Sequence, residues 1–140
     1  MNSLRLGVAF VVTLLWAVSL SARDDGGPKY KAPPEIVATL PKICWWLYMD
    51  NVPNTPEYNT LDCGVNYNHY CPGLVELKQA ERERTTEARL GRLRHAKDSM
   101  EYTLRNTEAF PECSLRQPAK MNLERVKFQI DMLKLKAPKR

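Results

Sequence analysis

Residues 74–106, LVELKQAERERTTEARLGRLRHAKDSMEYTLRN, determine the fold class of this chain. The stretch contains no proline and consists largely of strong helix formers. From position 90 onward its apolar residues recur every three or four positions, as in a helix that buries one face: Leu90, Leu93, Ala96, Met100 and Leu104. The pattern therefore predicts one long helix over 73–106, in which Gly91 would mark a bend or a close contact.

A second long helix is predicted from about Pro118 to Leu135, after a connector over 107–117. Proline in the first turn and lysine in the last turn suit the two ends of a helix. The apolar stripe of this helix consists of Leu123, Val126, Ile130 and Leu133, and is expected to be widened by Met121, Phe128 and Met132. Two long helices joined by a short connector predict an antiparallel helical hairpin and a mainly α fold.

The segment ahead of the hairpin predicts one additional short helix, which Pro33 and Pro34 would open and Pro41 would break near Leu40. The sequence CWWLYM over 44–49, called the aromatic cluster below, follows it. Residues 50–73 are rich in proline, asparagine and aspartate, so they predict a loop region that needs disulfides to hold it in place.

Residues 1–22 have the three-part pattern of a secretory signal peptide: Arg5 near the start, an apolar run over 7–20, and small residues ahead of Arg23. The apolar run is shorter than the roughly 20 residues of a membrane-spanning helix. The pattern predicts a cleaved signal over 1–22, a flexible leader over 23–34 and a single helical domain over 35–137. The protein is then expected to be secreted and extracellular, without a membrane span. Retention of the signal would instead predict a membrane anchor.

The charge pattern argues against a nucleic-acid partner. The formal net charge is +5, and it falls to +4 on removal of residues 1–22 because Arg5 is the only charged residue among them. Acidic and basic residues are interspersed along the predicted helices, which is typical of a solvated surface. We expect no nucleic acid among the partners.

Four cysteines, Cys44, Cys63, Cys71 and Cys113, follow the signal, and their even number predicts two disulfides. An unbroken helix over 73–106 would be roughly 50 Å long and would keep Cys71 away from Cys113. The favoured pairing is therefore Cys63 with Cys71 and Cys44 with Cys113. A bend within the helix would allow the other pairings.

Groups that could carry out catalysis are scarce. His69 and His95 are the only histidines, and no nucleophile is placed near either of them by a known motif. Cysteines held in disulfides would supply no thiolate. The spacing of Cys63, His69 and Cys71 matches no common structural zinc site. We expect no enzymatic activity, no metal and no cofactor.

Aromatic side chains are the best candidates for a binding surface, because tryptophan and tyrosine are over-represented among interface hot spots. Trp45, Trp46 and Tyr48 cannot all face the same way, so they are either core residues or include one exposed anchor for a partner. Tyr67 and Tyr70 of the loop are further candidates. The predicted function is non-enzymatic binding of an extracellular or cell-surface protein. The alternatives are a carrier of a small apolar ligand and, if residues 1–22 are retained, a membrane-anchored assembly factor.

Overall fold

The computed structural model describes residues 30–53, 55, 57–58, 62–64 and 66–136. The predicted signal peptide over 1–22, residues 23–29 of the predicted leader and residue 137 lie outside these ranges. The described chain forms five α-helices and two single turns of 3-10 helix, with no strand. The helices are α1 (Pro34–Val37), α2 (Trp45–Tyr48), α3 (Tyr70–Ala80), α4 (Thr86–Asn106) and α5 (Arg116–Lys136). The predicted mainly α fold is confirmed.

The three long helices form the body of the fold. Helix α4 packs against α3 on one side and against α5 on the other, and each neighbour runs antiparallel to it. One cluster of buried side chains joins all three helices and consists of Leu77, Ala80, Leu93, Ala96, Val126 and Ile130. The predicted antiparallel hairpin of long helices corresponds to α4 and α5 and is confirmed.

The prediction of one continuous helix over 73–106 is wrong, because the chain reverses direction over residues 81–85. Thr85 ends the turn in an extended conformation, and its hydroxyl accepts a hydrogen bond from the backbone N–H of Ala88 at 3.2 Å. This is an N-cap, which supplies a partner to an otherwise unsatisfied donor of the first turn. Gly91 lies inside α4 with open space around it, and so marks no close contact.

The reversal also explains why the favoured disulfide pairing is wrong. Cys44 is bonded to Cys71, and Cys63 is bonded to Cys113, with Cα–Cα distances of 5.4 and 4.6 Å. Because α4 returns alongside α3, its end and the following connector lie level with the start of α3. All four cysteines therefore meet at one end of the bundle, where the expected separation of Cys71 from Cys113 does not exist.

Helix α5 buries a narrower stripe than the sequence pattern predicts. Leu123, Val126 and Ile130 are buried against α4, and Leu133 packs at the edge of the same cluster. Met121, Phe128 and Met132 do not widen this stripe, because they are exposed. They lie on the opposite side of the helix.

The helix start and the break in the N-terminal segment lie where the proline pattern predicts them. Pro34 begins α1, and Pro41 separates α1 from the turn that leads into α2. The segment buries five apolar side chains: Ile36, Val37, Leu40, Ile43 and Leu47. Within the described ranges, none of the helices has the length and apolar character that crossing a membrane requires.

Candidate binding groove

Helix α2 carries the aromatic cluster and is fixed to the bundle at both ends. Cys44 precedes it, is fully buried, and forms the disulfide to Cys71 at the start of α3. Leu47 on the helix is also fully buried. Its carbonyl accepts a hydrogen bond from the backbone N–H of Tyr30 at 2.9 Å, which holds the preceding chain against α2.

Trp45 and Tyr48 face the same side of α2, because residues three apart in a helix are neighbours on its surface. The indole N–H of Trp45 donates to the carbonyl of Leu40 at 3.2 Å, and this bond fixes the ring against the preceding turn. Trp45, Trp46 and Tyr48 are all partly buried against the core cluster that contains the disulfides, but Trp46 does not line the same surface as the other two. The aromatic cluster is thus divided, with Trp45 and Tyr48 available to one surface.

That surface is an open groove of about 460 Å³ between α1 and α2, called the aromatic groove below. Its lining consists of Ala32, Pro34, Val37, Ala38, Trp45, Tyr48, Met49 and Asp50. Met49 is 44% exposed, a high fraction for a large apolar side chain. Among the residues that the structure describes, Asp50 is the only charged one in the lining. The groove is therefore apolar with one carboxylate at its rim.

Neighbouring rings support the two aromatic walls of the groove. Tyr30 lies beside Tyr48, and Tyr58 lies beside Trp45, each pair with ring centroids 6.0 Å apart. Such tilted arrangements are favourable for aromatic pairs at this distance. The Lys42 ammonium lies 5.8 Å from the centre of the Tyr58 ring and forms an ion pair with Glu57. These contacts hold the loop at residues 57–58 behind Trp45.

Two titratable groups in or behind the walls of the groove have raised pKa values. Burial raises the pKa of the Tyr48 hydroxyl, with smaller contributions from Tyr30 and Glu76. The hydroxyl therefore stays protonated at physiological pH and can donate a hydrogen bond. The hydrogen bond and charge of Glu57 raise the pKa of Lys42, which stays cationic.

Of the two loop tyrosines predicted to bind a partner, Tyr70 does not join this surface. Tyr70 is only 3% exposed, and its hydroxyl accepts a 3.5 Å hydrogen bond from the Asn122 side chain. Burial raises the pKa of Tyr70. The side chain of Tyr67 lies outside the described part of the structure. Tyr70 is therefore a packing residue between α3 and α5 and does not line the groove.

The candidate catalytic groups are dispersed. His69 stacks on Tyr102, with ring centroids 3.8 Å apart, whereas His95 lies exposed on α4. All four cysteines are oxidised. Among the residues that the structure describes, no group of three or more histidine, cysteine or acidic side chains is placed to hold a metal ion.

The sequence pattern missed half of the groove, namely the wall formed by Ala32, Pro34, Val37 and Ala38. Small residues and prolines carry no strong signal of a binding surface. The available clue was their position next to the aromatic cluster, with Pro34 exposed at the start of α1 and Ala38 exposed just after its end.

Comparison with known proteins identifies no relative. No model of a protein family matches the chain, and no curated protein or solved structure is similar to it.

Proposed function

We propose that this protein is secreted and acts, without catalysis, by binding another protein through the aromatic groove. The observation that carries the proposal is an open apolar groove whose walls, Trp45 and Tyr48, stand on a helix tied to the bundle by a buried disulfide. Aromatic walls of this kind are typical of interface hot spots. A rigid groove loses little conformational freedom when a partner binds, which favours affinity.

The lining indicates the chemistry of the partner. An apolar or aromatic side chain would fill the space between α1 and α2, where it would be shielded from water by Met49. A basic residue next to it would pair with Asp50 at the rim. The proposed partner therefore presents an apolar side chain beside a lysine or arginine on its surface.

Secretion is supported by the compartment that disulfides require. Both disulfides are buried in the hydrophobic core, at the end of the bundle that the N-terminal segment contacts. Such bonds form and persist in oxidising compartments. The signal-peptide pattern over 1–22 points in the same direction.

Site-specific photo-crosslinking tests the proposal. The mature chain would carry p-benzoylphenylalanine in place of Met49 and would be exposed to the surface proteins and fluids of the tissue that secretes it. The same photoreactive residue at Ala109, an exposed turn position after α4, serves as the control. We expect one protein to be captured from position 49 and not from position 109.

A blocking variant shows whether the capture depends on the groove. Ala38 is exposed and lies in the lining, so Ala38→Arg would fill the groove without disturbing the core. Ala109→Arg places the same side chain on a distant turn. We expect capture from position 49 to be lost with Ala38→Arg and kept with Ala109→Arg. Equal capture by both variants would refute the groove as the binding site.

The volume of the groove supports a small apolar ligand as the second candidate, because about 460 Å³ lies within the usual range of ligand pockets. Trp45 would report such a ligand through its fluorescence. Titration with a fatty acid and with an aromatic amine, each against the Ala38→Arg variant, distinguishes the two candidates. Saturable quenching that Ala38→Arg abolishes, without any protein captured from position 49, would favour the carrier.

A further inference from the structure

Helix α5 carries a second apolar stripe that faces away from the bundle, called the outer stripe below. It consists of Met121, Phe128, Met132 and Leu135, whose exposed fractions are 64%, 66%, 38% and 80%. The stripe lies on the side of α5 opposite the buried residues Leu123, Val126 and Ile130. It is far from the aromatic groove in sequence and shares no residue with it.

The spacing of the outer stripe is that of a coiled-coil seam. Met121, Phe128 and Leu135 recur every seven residues, and Met132 follows Phe128 by four. These are the d and a positions of a heptad pattern, which pack against the same positions of a facing helix. At 1.5 Å per residue the stripe is about 21 Å long. A helix of similar length and spacing would cover it.

The two edges of the outer stripe carry different side chains. Glu124 and Asp131 border it on one side, at the g positions, while Gln129 and Lys136 border it on the other side, at the e positions. In a parallel pair of helices, each g residue faces the e residue five positions later in the partner. Asp131 would then face Lys136 of the second helix, and Glu124 would face Gln129. An antiparallel pair would instead place the acidic edges against each other.

We propose that the outer stripe binds the outer stripe of a second copy of this chain, with the two α5 helices parallel. The surface is complementary to itself in this orientation only, as a two-fold symmetric interface requires. Arg125 occupies the remaining a position, where it forms an ion pair with Glu81 of its own chain at 2.7 Å. A charged residue at a core position weakens a coiled coil, so the pairing is weak and depends on concentration.

The parallel arrangement has a consequence for binding. Both aromatic grooves would lie level with each other along the two-fold axis, because each is built on the same end of its own bundle. Two grooves in one particle bind a partner that is repeated on a surface far more tightly than one groove does. The pairing is independent of the groove, and the pairing can fail while the groove still binds its partner.

Sedimentation velocity of the mature protein over a wide concentration range tests the pairing. We expect a reversible monomer–dimer equilibrium, and we expect Phe128→Gln and Leu135→Gln each to weaken the dimer by about tenfold or more. Lys120→Gln, at another exposed position on α5, is the matched control and should leave the equilibrium unchanged. Because Phe128 and Leu135 are largely exposed, circular dichroism should be unaltered in both variants. A strictly monomeric protein overturns the proposal. The outer stripe would then be expected to bind a helix of a different protein.

Spin labels test the orientation. A nitroxide on Met121→Cys, attached after the native disulfides have formed, should couple with the same label on the second copy. In the parallel pair, the distance between the two labels at 121 is shorter than the distance between a label at 121 on one copy and a label at 135 on the other, which is about 21 Å or more. The reverse order of these two distances would overturn the parallel arrangement. A dimer that keeps its affinity in both Phe128→Gln and Leu135→Gln would show that another surface mediates the contact.

Discussion

Gly73 of α3 and Ser99 of α4 touch where these two helices pack against each other. A methyl group on Gly73 would lie 2.8 Å from the Cβ atom of Ser99 and 3.0 Å from the terminal carbon of Met100. Carbon atoms that are not bonded do not approach this closely without displacing one another. The distance between α3 and α4 therefore depends on the absence of a side chain at position 73.

Gly73→Ala is expected to lower the free energy of unfolding by about 1–2 kcal/mol, because the gain in helix propensity does not offset the overpacking. Gly91→Ala is the matched substitution on α4, where a methyl group meets no other atom within 4 Å. It is expected to raise the free energy of unfolding by about 0.5–1 kcal/mol. Unfolding of both variants in guanidinium measures the two changes in the free energy of unfolding. Changes of the same sign would contradict the packing described for Gly73.

The turn between α3 and α4 depends on the cap at Thr85. Thr85→Ala removes the hydroxyl that accepts from the Ala88 N–H and should lower the free energy of unfolding by about 1 kcal/mol. Thr86→Ala, one position into the helix and equally exposed, should change it little. Equal losses in thermal or chemical unfolding would show that the hydroxyl of Thr85 does not stabilise the start of α4.

Peptide mapping without reduction is expected to link Cys44 with Cys71 and Cys63 with Cys113. The bonds close segments with sequence separations of 27 and 50 residues. By the loop-entropy argument, removing either bond with a double Cys→Ala substitution should lower the free energy of unfolding by about 3–4 kcal/mol. A peptide linking Cys63 with Cys71 would contradict the antiparallel return of α4 that brings Cys113 to the start of α3.

Stability is expected to fall above about pH 10, because burial raises the pKa of both Tyr48 and Tyr70 in the folded protein. In that range the unfolded chain has lost these two protons and the folded chain still binds them, so rising pH favours unfolding. Below about pH 9 these two tyrosines do not affect stability, because both are protonated in the folded and in the unfolded chain. Chemical unfolding at successive pH values checks this, and Tyr48→Phe combined with Tyr70→Phe should flatten the decline. An unchanged slope in the double variant would contradict it.

Protein recovered from the medium of secreting cells is expected to begin near Arg23, because residues 1–22 have the pattern of a cleaved signal. Intact mass and N-terminal sequencing measure this directly. Retention of residues 1–22 would instead support the membrane-anchored alternative, and the protein would then be found in the membrane fraction of the cells.

Periodicity and proline positions allowed much of the secondary structure to be predicted. The α4–α5 hairpin, the short helix at Pro34 and the break at Pro41 follow from local rules, because each depends on residues close together in the chain. The signal for the turn at 81–85 was also local, in the sequence Thr85-Thr86-Glu87, but the helix-forming residues on both sides masked it. Proline likewise lies inside the first turn of α3 and of α5, where its missing N–H has no cost, so both helices begin earlier than predicted.

The groove and the disulfide pairs could not be predicted in this way. The packing of the N-terminal segment against α3 determines which side of the Trp45 ring faces α1. It also determines that the Tyr70 side chain is buried in the core. Hydrophobic residues on both faces of α5 looked like one broad stripe, because periodicity measures spacing and not the position of a neighbouring helix. Only the packed bundle distinguishes the buried face of Val126 from the exposed face of Phe128.

The sequence by itself determined that the chain is helical, that it has an even set of cysteines behind a signal-like segment, and that an aromatic cluster follows the first short helix. The tertiary structure alone decided which cysteines meet, which aromatic rings line a surface, and why a side chain at residue 73 is unfavourable. The physical reason is the reversal at Thr85. Local propensities specify each helix, but the contacts between residues far apart in the chain exist only once α4 has folded back along α3.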